Sequence, residues 1–185
     1  MNKKKIEKML PEALETLKDS ECGICKDGKI NRSYRSAIAS FGAAVTMGSF
    51  RAAVAFFSKD AEKGDSGISR SKLICAIDYL CQTYNPEWQK ERGQNDANDG
   101  QNAANDGQNA ANDRQNAAKW HAAKDVCAYV MKQDNEKLKL LEQDYLHAAV
   151  ALKLAMNAFD LISEKKGKDE SNEELTNEES EPVVQ

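Results

Sequence analysis

The residues best equipped for chemistry are few. Cys22-Gly23-Ile24-Cys25 is a C-x-x-C, the spacing of a redox pair or of half a zinc knuckle. A redox pair wants a strand before it and a helix opening at the first thiol, inside a βαβ context that the flanking pattern does not supply. A zinc site wants a second pair at similar spacing. Cys75 and Cys81 come nearest, but a helical stretch points them to different sides, and with Cys127 they read as small apolar core residues. The two histidines, His121 and His147, have no partner at i+4 and no H-E-x-x-H setting, and read as solvated or partner-facing helix positions. No phosphate-cradling glycine loop, dinucleotide fingerprint or nucleophile elbow is present. Carboxylates are plentiful, but they fall on helix faces expected to be solvated or in the C-terminal stretch. The expectation is a chain with no catalytic centre, no metal or cofactor and no small-molecule substrate.

The remaining chemistry is cationic. Residues 1–72 hold fourteen lysines and arginines against nine acids, a net +5, whereas residues 164–185 hold three against eight, a net −5. Arg32, Arg35, Arg51, Lys59, Arg70 and Lys72, behind the basic opening Lys3-Lys4-Lys5, are the candidate RNA- or partner-facing residues. A solvated face accounts for such a scatter in many helical proteins. Arginines at or near helix starts are also suited to phosphates, where release of counterions drives binding without reading sequence. The aromatic residues of this half read as buried, so base stacking is not expected.

These residues must be positioned by helices. Ile6, Met9, Leu10, Ala13, Leu14 and Leu17 mark one helical face over Asn2 to Asp19, with Pro11 either kinking the helix or opening a new one. Cys22 to Lys29 reads as a loop. A second helix near Ser33 to Met47 carries Tyr34, Ile38, Phe41 and Val45, and Gly48 is placed to end it in a left-handed conformation. Phe50, Ala53, Val54 and Phe57 stripe a third, residues 63–67 read as a loop, and Leu73, Ile74, Ile77 and Leu80 stripe a fourth over Ser69 to Tyr84. A fifth spans about Ala117 to Gln133. The sixth, a helix of some 28 residues and about 42 Å at 1.5 Å per residue, carries an apolar stripe unbroken from Leu138 through Tyr145 and Leu152 to Ile162. Nothing reads as a β-strand. The predicted fold is all-α: one domain of about six helices, residues 1–84 and 120–163, with a long C-terminal helix.

Between the fourth and fifth helices lies an insertion, residues 85–119, in which a seven-residue unit (GQNDAND, GQNAAND, GQNAAND, RQNAAKW) recurs about four times from Gly93, its last residue being Trp120. A heptad period suggests a coiled coil, but no position up to its last two residues exceeds alanine in apolar bulk. Such a seam buries too little to offset about 1–2 kcal/mol of backbone entropy per ordered residue. Gly100, Gly107 and the Asn-Asp pairs also oppose a helix. The unit reads as a low-complexity insertion, and residues 164–185 as a disordered acidic tail.

No secretory h-region follows Met1 to Lys5, and no stretch approaches the roughly 18 apolar residues of a membrane span. The expectation is a cytoplasmic protein with reduced cysteines, an odd five of them.

One stretch is distinctive. Tyr34-Arg35-Ser36-Ala37, Phe41-Gly42, and Gly48-Ser49-Phe50-Arg51-Ala52-Ala53-Val54-Ala55-Phe56-Phe57-Ser58-Lys59 resemble the small helical subunit of the type III-B CRISPR effector, the Cmr complex. That family shows a tyrosine-led helix, a glycine hinge and an apolar helix closed by Ser-Lys. Tyr145-Leu146-His147-Ala148-Ala149 with Ala151-Leu152 resembles the start of its last helix. The likeness covers residues 1–84 and 120–163. Where the family's last helix carries a tryptophan and a basic pair, this chain has Met156, Asn157 and Asp160, and the heptad insertion is foreign to the family. The resemblance implies a non-catalytic subunit packing beside the backbone subunits that carry the CRISPR RNA. It would line the groove where guide and target RNA pair, with cleavage and polymerase activities left to other subunits. A generic helical adaptor that binds only protein is the alternative.

Overall fold

The structure is a computed structural model that describes residues 2–59, 68–88, 90 and 121–162. The readings of the loop at 63–67, the heptapeptide repeat and the acidic tail lie outside those residues. Within them the chain is a helical bundle with a small sheet at one corner. In order it runs α1 (Lys3–Lys18), β1 (Cys25–Lys26), β2 (Lys29–Asn31), α2 (Arg32–Met47), α3 (Phe50–Ser58), α4 (Arg70–Tyr84), α5 (Ala123–Lys132), α6 (Asn135–Ala155), a 3-10 turn (Met156–Ala158) and β3 (Asp160–Ile162).

Local signals place the helix starts. The side chains of Asn2, Asn31, Ser49 and Asp134 each accept a backbone N–H of the first turn that the helix itself leaves unpaired. Pro11 sits within a continuous α1, on its exposed side. Gly48 ends α2, though not in the left-handed conformation expected: its φ is −121°. Glycine is needed there for space, since a Cβ would lie 2.9 Å from the Ala44 carbonyl oxygen.

The apolar stripes meet in one core. α1 packs on α6, α4 packs against both, and the α2–α3 hairpin closes the bundle against α6 and α5. Phe41 and Phe57 meet edge to face at 5.3 Å, which holds α2 to α3, and Phe50 meets Tyr145 at 5.1 Å, which holds α3 to α6. Each such buried aromatic is worth about 1.5–3 kcal/mol of burial, with roughly 0.5–1.5 kcal/mol more from ring geometry. Trp88, in the stretch read as the start of the insertion, is 7% exposed and belongs to this core.

Two readings are corrected. The loop at Cys22 to Lys29 contains an antiparallel hairpin in which Lys26 faces Lys29 across Asp27 and Gly28. Both turn residues have positive φ, 52° and 73°, the left-handed pair that a tight hairpin demands. The last helix is also shorter than read. α6 has 21 residues, a rod of about 32 Å, and the chain then turns through Met156–Ala158 to pair β3 in parallel with β2. Leu161 lies opposite the fully buried Ile30, so the apolar run continues the core as a strand rather than as a helix.

Candidate nucleic-acid interface

Two contacts bring the start of α2 and the end of α3 to the start of α4, and a third holds α3 to the second half of α2. Phe57 near the end of α3 packs on Phe41 of α2. The Ser69 backbone N–H, at the N-terminus of α4, donates to the Tyr34 hydroxyl of α2 at 3.3 Å. The Arg70 guanidinium lies 4.7 Å from the centre of the Phe56 ring on α3. Arg32 and Arg35 of α2, Lys59 just past α3, and Arg70 and Lys72 of α4 therefore share this end of the bundle. Their roles differ. Arg32 and Lys59 are exposed, Arg35 and Arg70 half-buried. Lys72 donates through Nζ to the Gly23 carbonyl at 3.2 Å, tying α4 to the turn before β1.

Arg51 does not join them. It stands in the first turn of α3, at the other end of that helix, and donates through Nη2 to the Gln133 carbonyl beyond the last turn of α5. That placement satisfies a helix-end acceptor and makes Arg51 a clamp between two helices.

The aromatic residues are not all buried, as the sequence suggested. Phe56 is 52% exposed and carries Arg70 on its face. An exposed ring beside a guanidinium is the pairing that single-stranded nucleic acid uses for stacking. Phe56 lies off the Phe50–Phe57 stripe by one position, which is the signal that could have found it.

The C-x-x-C adjoins this end. Cys22 is buried, and burial is the chief cause that raises its thiol to a pKa of about 11. A hydrogen bond from the Ile24 backbone and the charge of Lys72 pull the other way, and Asp19 adds to the rise. Cys22 is a protonated thiol at neutral pH, the reverse of an activated one. Cys81 is buried, while Cys75 and Cys127 are half-buried at the core margin. Among the described residues, no group of three or more His, Cys, Asp or Glu is placed to hold a metal ion.

Three polar residues read as solvated are buried instead. Asp78, 2% exposed, accepts from the Tyr145 hydroxyl and from Gln82 Nε2 at 2.6 Å. Gln82 Oε1 in turn lies 3.3 Å from His121 Nε2. Asp144, 6% exposed, pairs with Lys5 and accepts from Trp88 Nε1 at 3.1 Å and Asn85 Nδ2 at 3.2 Å. Burial alone would raise the Asp144 carboxyl, but these three donors outweigh it and hold the group below its usual value. His147, 7% exposed, accepts the Asn2 backbone N–H at Nε2 over 2.9 Å. Burial first, and the Lys5 charge second, lower its pKa, so it stays neutral. The hydrogen bonds of these groups fasten α1, α4 and α6 together.

No protein-family model, no curated protein and no solved structure matches the chain. Among the described residues, no helix is long and apolar enough to cross a membrane.

Proposed function

We propose that this chain is a non-catalytic small subunit of a type III-B CRISPR effector complex. In this reading it works in the cytoplasm in antiviral defence, packs beside the backbone subunits that carry the CRISPR RNA, and touches guide or target RNA without reading sequence. The observation that carries the proposal is the α2–Gly48–α3 hairpin with its cationic end. The stretch from Tyr34 to Lys59 that resembles the Cmr small subunit forms one hairpin, and Arg32, Arg35, Lys59 and Arg70 lie where that hairpin meets α4. Such an end suits phosphates, and the Phe56–Arg70 pair adds a face for an unpaired base.

The test is copurification with the RNA-loaded backbone subunits. Stable incorporation supports the proposal, and a chain that elutes alone beside the assembled backbone ends it.

A second reading, a protein-only adaptor, draws on exposed apolar side chains. Met47 is 84% exposed, and Leu140 and Leu154 are 58% and 47% exposed. The two readings separate on charge reversal at Arg32, Arg35 and Arg70, which an adaptor tolerates and an RNA-lining subunit does not.

A further inference from the structure

A groove of about 1050 Å³ lies between α2 and α6, beside the N-terminus of α1. Its floor is apolar, with Ile38 and Gly42 from α2 facing Leu146 and Val150 from α6. Gly42 opens the floor, since a Cβ there would meet nothing within 4 Å. Lys3, Lys4 and Lys153 line the groove, and no carboxylate does. An apolar trough whose charged side chains are all lysines selects an apolar side chain set among acids.

We propose that the occupant is the chain's own acidic C-terminal segment, residues 173–179, with Leu175 in the trough and its glutamates against the lysines. That segment reads Glu-Glu-Leu-Thr-Asn-Glu-Glu, four negative charges around one leucine. The path is short enough. β3 ends at Ile162, opposite Asn31, the residue that caps α2. The groove begins at Ile38, seven residues along, about 10 Å at 1.5 Å per residue. The thirteen residues from Ile162 to Leu175 span up to about 43 Å when extended. Attachment to the same chain makes the encounter intramolecular, so modest contacts suffice. Docked there, the segment screens Lys3, Lys4 and Lys153 from polyanions.

The experiment uses the full-length chain and nuclear Overhauser contacts between methyl groups. The expected result is contact between the Leu175 methyls and those of Ile38 and Val150, lost in Glu173→Lys/Glu174→Lys and weakened from 0.05 to about 0.5 M salt, as screening of charge requires. The reciprocal variant Lys153→Glu, on a surface position, should shift the Leu175 methyls. Absence of those contacts in the wild-type chain overturns the proposal. So does contact that appears only between differently labelled copies, which assigns the groove to a second molecule. None of these outcomes depends on whether the chain joins an RNA effector.

Discussion

Lys5 and Asp144 join the first helix to the last through an ion pair whose carboxylate also holds the Trp88 indole and the Asn85 amide. One acid on α6 thereby fastens α1 and the segment that follows α4. Lys5 is half-buried and Asp144 buried, so water screens the pair less than a surface bridge. The first consequence concerns stability. Asp144→Ala strands the indole N–H and should cost about 1–3 kcal/mol. Asp144→Asn, which still offers a carbonyl acceptor, should cost less. Urea midpoints of the two variants check this, and equal midpoints for wild type and Asp144→Ala would contradict it.

Acid should act in two steps. His147 accepts the Asn2 N–H at Nε2, so protonation at that nitrogen breaks the bond. Its folded pKa lies below the ordinary 6.5, so its contribution is complete above that value and fades as pH falls through the folded pKa. The Asp144 carboxyl is also depressed, from 3.8, so its contribution is complete above 3.8 and is lost only at lower pH. Melting temperature followed from pH 8 to about 3 should decline first below 6.5, and His147→Gln should flatten that first decline. An unchanged profile in His147→Gln would contradict the assignment.

Much of the bundle was legible in the sequence because periodic apolar residues report their own neighbours along a helix. The α2 and α3 stripes, from Tyr34 to Phe57, needed nothing else. The end of α6 was not legible. Phe159, Leu161 and Ile162 are compatible with a helical stripe and with a strand, and only the distant Ile30 decides between them. The hairpin carries one sequence signal, the tight-turn dipeptide Asp27-Gly28, but strands of two and three residues are too short to show alternation. Asp78, Asp144 and His147 read as solvated because what buries them lies far along the chain: Tyr145 for Asp78, Lys5 for Asp144 and Asn2 for His147. The cationic end was legible as residue types but not as a place. Tertiary packing removed Arg51 to a helix clamp and engaged Lys72 with a backbone carbonyl.

The C-x-x-C offers a direct chemical check. Cys22 is 3% exposed with a pKa of about 11, so its thiolate is scarce at neutral pH. Iodoacetamide at pH 7.5 should modify the half-buried Cys25 and leave Cys22 intact until denaturant is added. Equal labelling of both in the native protein would contradict the placement.

The repeat should be dispensable for folding. Deleting residues 93–113 removes three copies of the unit and shortens the α4–α5 connection. Closure entropy changes only as the logarithm of loop length, about 0.6 kcal/mol per doubling. The midpoint of unfolding should therefore move by less than about 1 kcal/mol. A large loss would show that the repeat packs on the bundle.

Association with RNA-loaded backbone subunits across a salt series tests the central claim most directly, with wild type and the triple variant Arg32→Glu, Arg35→Glu, Arg70→Glu compared side by side. The account predicts that the wild-type chain joins the assembly and weakens linearly in log salt. The triple variant should bind at least tenfold less tightly and show a shallower slope, having lost phosphate contacts. Equal binding and equal slopes for the two chains, or no association of either, would contradict it.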